Sequence, residues 1–423
     1  MLDIKYIREH QNEIKQNIKK RNAKLDLNDV LEADEERRKI QTRLDILKAE
    51  QNKANTDIAA ADPVKKQDKI MLMKKLANEV KELEIIYRQK EDVFFQIMEL
   101  VPNLTHPDTP AGLTDKDNKE IEKVGEIPKF AFPAKDHVTL GKELDLIDFD
   151  SAAEVSGQKF YYLKNEAALL EIALVNYALN LLASKGYTPI ITPDLARGEI
   201  IKGAGFNPRD NSDQIYNIKD TNLSLIATAE ITMGGYFANH TLNLKQLPLK
   251  FVGLSHCFRK EAGSYGQESR GLYRVHQFTK IEMYIFCKPE ESESMHLELL
   301  NLEKEIFTKL GIPFRVVDVC SGDLGGPAYR KFDLEAWMPM KNGYGEITST
   351  SNCTDFQARR LNIKYKNESG KSQYVHTLNG TAIAVSRALI AILENFQQAD
   401  GSITIPEVLR AYMGNISVIK PRQ

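Results

Sequence analysis

The chain has 423 residues, 42% of them hydrophobic and 27% charged, enough for two or three domains and a full-sized core. Its net charge of −2 excludes a globally basic nucleic-acid binder, so any such surface must be local. The scattered cysteines Cys257, Cys287, Cys320 and Cys353 make no CxxC or zinc-spaced cluster, the start MLDIKYIREH is too polar for a signal peptide, and no apolar run approaches the roughly 18 residues that span a bilayer; a cytoplasmic protein with reduced thiols is expected.

Residues 1 to about 101 contain no glycine and are densely charged. Apolar residues recur at Ile40, Leu44, Leu47, Ala54 and Ile58, then at Leu76, Val80, Leu83, Tyr87, Phe94, Ile97 and Val101. Alternating steps of four and three form a coiled-coil seam, made imperfect by Gln51 and Lys90. The seam breaks at AAADPVKK (59–66), where Pro63 cannot continue a helix. Two helices of about thirty residues would fold back as an antiparallel hairpin roughly 45 Å long, with almost no interior. A spacer or dimerisation coiled coil has the same grammar. The N-terminal stretch is the more basic (Lys5, Arg8, Lys15, Lys19, Lys20, Arg21 and Lys24 against Asp3, Glu9 and Glu13), and Lys65, Lys66 and Lys69 cluster beyond the tip; both could meet phosphates or stay solvated.

PNLTHPDTPAGL (102–113) is a proline-rich linker. Beyond it helices and strands mix. Residues 165–185 are helical by period and end at Gly186; YTPIITP (187–193) is a short apolar strand closed by Pro193. Strands are expected at 249–258, 274–286, 313–319, 332–338 and 343–350, and a last long helix at 381–398. Strands so rarely alternated with single helices favour an antiparallel α+β sheet over a doubly wound one.

The densest chemistry lies in CFRKEAGSYGQESRGLYRVHQFTKIE (257–282), read as strand, polar loop and return strand. Gly263, Ser264, Gly266 and Gly271 suit the loop, and Phe278, Lys280 and Glu282 share one face of the return strand. Arg259, two carboxylates and an aromatic ring there could grip phosphate, amine and a flat base; a salt-bridged surface hairpin is the plainer alternative. Neither GxxxxGK[ST] nor GxGxxG is present, so phosphate would fall to side chains, with Arg259 and Arg387 the best candidates. Arg387, among small and apolar neighbours, is either a salt-bridged core residue or one aimed at a ligand. Glu346 and Ser349 are hard oxygen donors of the kind Mg²⁺ takes when bridging phosphates, although a lone edge-strand glutamate is common. Thr228, Ala229 and Glu230, with Asn379, Gly380, Thr381 and Glu282, could form a small polar pocket for an amino acid. No catalytic triad stands out. The inventory suits attack of a substrate carboxylate on the α-phosphate of ATP, with the protein positioning groups and neutralising charge.

FRKEAGSYGQESRGLYRVHQFTKIE (258–282) resembles motif 2 of class II aminoacyl-tRNA synthetases, in the wording of the seryl-tRNA synthetase family. GYTPIITP (186–193) resembles motif 1, and LNGTAIAVSRALIAILEN (378–395) resembles motif 3. TAE (228–230), EITSTSNCTDFQARR (346–360) and the segment 136–164 are similar to that family's remaining signatures, and the helical hairpin to its tRNA-binding arm. The resemblance implies a six- to seven-stranded antiparallel sheet flanked by helices (105–423), preceded by an arm (1–104) whose coiled-coil hairpin spans about 29–100. It implies a serine–tRNA ligase that makes seryl-adenylate from L-serine and ATP, then charges tRNA(Ser) and, where present, tRNA(Sec). A ligase loading a carrier protein is the alternative, though such relatives tend to lack the arm. A homodimer through the motif 1 region is implied, with each arm reaching tRNA bound across the other subunit.

Site roles carried by the resemblance are these. Arg259 meets the α-phosphate and the attacking carboxylate, Glu261 the adenine amino group, and Arg387 the γ-phosphate. Val275 and Phe278 pack on adenine, with Lys260, Arg274, Ile347 and Thr348 also at the ATP site. Glu346 and Ser349 hold Mg²⁺. Thr228, Ala229, Glu230, Arg259, Glu282, Asn379 and Thr381 line the serine pocket. Arg259, Glu346 and Arg387 are the catalytic set. Segment 201–218 departs from the family's wording and receives no role, and Thr381 stands where many relatives have serine. The cysteines do not resemble those of the zinc-dependent branch.

Overall fold

The computed structural model describes residues 1–59, 62–206, 214–261 and 271–422. Gly263, Ser264 and Gly266, part of segment 201–218 and part of the AAADPVKK break lie outside the described residues. Contacts divide the chain into two compact units, Met1–Pro102 and Asn103–Gln423.

In the first unit, short helices α1 (Ile4–Glu9) and α2 (Gln11–Lys20) precede long helices α3 (Leu27–Ala59) and α4 (Pro63–Leu100). Pro63 opens α4 at the first helical position, where its missing N–H costs nothing. The seam is formed as the spacing predicts: Leu44, Leu47 and Val80 are buried, with Leu76, Leu83 and Tyr87 packed against them. Ion pairs Lys90–Glu36 (2.7 Å), Arg43–Glu79 (3.1 Å) and Lys48–Glu84 (2.7 Å) cross between the helices. Exposed pairs of this kind add little stability but favour one register.

The second unit is built on one sheet. Its elements in chain order are β1 (Lys119–Val124), α5 (Asn165–Ser184), β2 (Thr188–Ile191), α6 (Ala229–Gly235), β3 (Leu249–Phe258) and β4 (Gln277–Cys287). Then come α7 (Ser292–Lys309), β5 (Phe314–Asp318), β6 (Arg330–Met338), β7 (Gly343–Asn352), α8 (Phe356–Leu361), β8 (His376–Ala384) and α9 (Val385–Asn395). The strand order is β1-β5-β6-β7-β8-β4-β3-β2. Neighbours run antiparallel except β2 and β3, which are parallel from Thr188↔Phe251 to Ile191↔Leu254.

The α+β reading holds, with three differences. The sheet has eight strands instead of six or seven, because KEIEKV forms an edge strand too charged and exposed to show an apolar period. The helix expected over 381–398 starts only at Val385 and ends at Asn395; Thr381 to Ala384 finish strand β8. Small apolar residues there fit either element, and the sheet partner β4 decides for strand. Finally, α5 is long and apolar enough to cross a membrane by length and composition, contrary to the expectation of no such run. One face of α5, with Leu170, Leu174, Tyr177 and Leu182, instead packs into the core.

Strand β4 shows how the sheet is layered. Odd residues Ile281, Met283, Ile285 and Cys287 enter the main core, shared with α5, α7 and α9. Even residues face the other way: Tyr284 and Phe286 join a second core with Ala229, Met233, Ala358 and Leu361. Between that second core and the far end of β4 lie Phe278, Lys280 and Glu282, the floor of a polar cleft.

Candidate active site: two joined cavities on the sheet

Two cavities share Arg259, Lys280, Ser349 and Thr381 in their walls, so they form one continuous cleft. The first also has Glu261, Tyr273, Val275, Phe278, Glu346, Ile347, Thr348 and Arg387. The second encloses ≈ 300 Å³ and adds Thr228, Glu230, Glu282, Lys331, Ser351, Cys353 and Asn379.

Strand pleating alone would send Glu346 and Ser349, three residues apart, to opposite faces. A bulge prevents this. Thr348 pairs with Leu334 and Glu346 with Glu335, which leaves Ile347 as the extra residue on β7. Glu346 and Ser349 therefore both reach the cleft, while the Thr348 hydroxyl turns to the helical side and donates to Glu303 Oε2 (3.0 Å). A second bulge lies on β8, between Thr381↔Glu282 and Ile383↔Ile281. It keeps Thr381 over Glu282 and returns Ile383 to the core.

Charge in the first cavity is tightly matched. Arg387 Nη1 donates to the Glu346 carbonyl (2.9 Å) and lies 3.2 Å from Glu346 Oε1, with its guanidinium 4.8 Å from the centre of the Tyr273 ring. Burial alone would raise the Glu346 pKa, but Arg387, Lys331 and Arg259 outweigh it and hold the carboxyl down at about 2. Glu346 is thus anionic at neutral pH and fits a hard cation. Arg259 stacks 5.2 Å from the Phe278 ring centre. Glu261 adopts a left-handed backbone (φ 46°), with its carboxylate 3.4 Å from Arg274.

The second cavity contains two acids with different partners. Glu282 Oε2 accepts from Thr381 Oγ1 (3.1 Å) and pairs with buried Lys280 (2.6 Å). Among the described residues Glu230 has no ion pair, and its contacts are amides. Burial, then the nearby Glu282 charge, push its pKa up to about 7 despite a hydrogen bond from Gln357. Thr228 caps α6, its hydroxyl accepting from the Glu230 amide (3.2 Å).

Nearly all the residues expected at the site meet in this cleft. Three stand apart in the described geometry. The Lys260 ammonium lies 5.8 Å from the Tyr216 ring centre, Ala229 is sealed in the second core, and Arg274 holds Glu261 without lining either cavity. Sequence reasoning placed Lys280 on one strand face with Phe278 and Glu282 but gave it no role, although it borders both cavities. It missed Lys331, Ser351, Tyr273 and Gln357. Gln357 had no such signal.

Similarity to known proteins agrees with this geometry. Residues 1–105 match the seryl-tRNA synthetase N-terminal domain, and residues 216–396 match the tRNA synthetase class II core domain (G, H, P, S and T). The serine–tRNA ligase of Dictyoglomus thermophilum is 53% identical over all of both chains. That of Treponema denticola is 51% identical over 98% of this chain and 99% of its own. The crystal structure of seryl-tRNA synthetase from Pyrococcus horikoshii complexed with ATP superposes with a TM-score of 0.90, at 39% identity and full coverage of both chains. The chain belongs to the seryl-tRNA synthetase family, the serine-specific branch of the class II aminoacyl-tRNA synthetases.

Proposed function

We propose that the joined cavities are where ATP and L-serine meet, and that the enzyme makes seryl-adenylate there before charging tRNA(Ser). The observation that carries this reading is the shared wall. Arg259 and Lys280 border both cavities, so a carboxylate entering from the acidic side and a phosphate from the basic side would be brought together.

The roles follow from position. In the first cavity Val275 and Phe278 offer an apolar and an aromatic surface for adenine, and Glu261 accepts from its amino group. Arg259 faces the α-phosphate and the attacking serine carboxylate, neutralising charge as the phosphorus gains its fifth oxygen. Arg387, always charged and forked, suits the γ-phosphate. Glu346 and Ser349 would hold Mg²⁺, which would supply positive charge against the phosphates; two protein ligands suffice for an ion that keeps several waters. In the second cavity the serine ammonium meets Glu230 and Glu282, and its hydroxyl meets Thr381 and Glu282. A pocket built to pair that hydroxyl leaves polar groups unpaired when alanine enters, and its small volume opposes the methyl of threonine.

The arm would bind the tRNA, and the cytoplasm is where such a substrate is met. A homodimer is proposed through the motif 1 region. Strand β2 is an unpaired sheet edge, its Ile191 is 81% exposed, and α5 leaves Leu169 and Ile172 exposed beside it.

Serine-dependent exchange of pyrophosphate into ATP tests the pocket. Glu282→Ala should reduce exchange at least about a hundredfold, since it removes one charged partner and strands buried Lys280. Wild-type exchange in a folded Glu282→Ala variant would contradict the assignment.

A further inference from the structure

Gln357, on α8, is fully buried and saturated with hydrogen bonds. Its Nε2 donates to Glu230 Oε1 (2.7 Å) and to the Ala204 carbonyl (2.9 Å). Its Oε1 accepts from Tyr284 Oη (2.8 Å) and Thr377 Oγ1 (2.7 Å). Two donors and two acceptor sites are all that an amide end needs here, and all are used.

The environment also fixes which way the amide points. Rotated by half a turn, Oε1 would face the Ala204 carbonyl, which can only accept. That carbonyl therefore fixes Gln357 with its NH₂ toward Ala204 and Glu230, and the two hydroxyls, able to donate or accept, serve as donors to Oε1. Asn379 Nδ2 makes a second N–H bond to the same Glu230 Oε1 (2.9 Å). Both donors fall on one oxygen, so Oε2 is left for the cavity, whose wall includes Glu230.

We propose that Gln357 is a positioning residue for amino-acid recognition: with Asn379 it fixes Glu230 so that Oε2 is presented to the serine ammonium. It acts through Glu230 and lines neither cavity itself. Four separate segments converge on it, from Ala204, Glu230 on α6, Tyr284 on β4 and Thr377 on β8, so it also ties the acid's orientation to the sheet. The inference rests on the second cavity being the serine pocket.

The test uses the full-length enzyme and pyrophosphate exchange, with KM measured separately for serine and ATP. Gln357→Glu keeps the shape but replaces the donor to Glu230 by an acceptor. We expect its serine KM to rise about tenfold or more, the loss of one hydrogen bond to a charged group, with ATP KM within about twofold. The defect should shrink as pH falls, because a protonated side chain at that position regains a donor. Thr377→Val removes one of the two hydroxyls that anchor the amide oxygen and should raise serine KM by a smaller factor, about threefold. Thermal denaturation of each variant confirms folding. A folded Gln357→Glu variant with unchanged serine KM, or with serine and ATP KM raised together, overturns the inference. Absence of serine-dependent exchange in the wild type would instead overturn the pocket assignment on which it rests.

Discussion

Glu230 and Glu282 wall the same cavity, yet their partners differ. Glu282 is neutralised by Lys280, whereas Glu230 is surrounded by amides and holds its proton up to about pH 7. The sign for stability follows. The unfolded Glu230 carboxyl releases its proton near 4.5 and the folded one near 7, so between those values the folded state binds more protons. Stability from this group therefore falls as pH rises through that window and is level above it. Glu230→Gln should remove that decline: denaturant midpoints for wild type and variant should diverge in the variant's favour from pH 4.5 to 7. Parallel curves would show that Glu230 titrates as it does in the unfolded chain. Arg259, Glu346 and Arg387 were legible as residues because their chemistry is carried by local wording. Gln357 was not, because its partners lie 20, 73, 127 and 153 positions away and only the fold assembles them.

At the scale of elements, the cleft depends on where β7 and β8 part. They pair only from Thr350↔Gly380 to Asn352↔Leu378, and each carries a bulge just beyond. Beneath the fork sits Glu303 of α7, fully buried, accepting from Thr348 on one strand. A Cβ at Gly380 on the other strand would come within 2.9 Å of Glu303 Oε1 and 3.2 Å of Thr350 Oγ1. Gly380→Ala should therefore push the fork apart and cost about 1–3 kcal/mol in denaturant unfolding, with a rise in serine KM because Asn379 and Thr381 flank it. Unchanged stability would mean that Glu303 moves freely, which its full burial opposes. The positions of β2 to β7 were readable from alternation and turn residues, whereas charged β1 was not and the end of β8 was read as helix. The bulges were not, since an extra residue in a strand leaves no mark until its partner is known. The same gap explains why Thr381 looked helical: AIAVSRALIAIL suits either period, and β4 settles the matter only by pairing with it.

At the scale of the molecule, the chain joins a helical hairpin of high charge and no glycine to a sheet that holds the chemistry. The hairpin's core is a single seam, with Leu44, Leu47 and Val80 buried in it, so its purpose must lie on its outside. Deleting residues 30–100 should leave serine-dependent pyrophosphate exchange within a fewfold of wild type and abolish charging of tRNA(Ser). Normal charging by the deletion variant would contradict the arm's proposed role. The hairpin's seam was legible where Leu44, Leu47, Leu76, Val80, Leu83 and Tyr87 pack, because a repeat of about 3.5 residues needs no long-range partner to be seen. What that surface binds was not, because its acidic and basic residues nearly cancel.

The central claim is that one cleft selects serine and delivers it to tRNA. Charging of purified tRNA(Ser) by the intact enzyme, with serine, alanine and threonine compared at equal concentration, tests it most directly. The account predicts efficient charging with serine, and with alanine and threonine values of kcat/KM lower by about a hundredfold or more. Charging with alanine or threonine as fast as with serine, or no charging of tRNA at all, would contradict it.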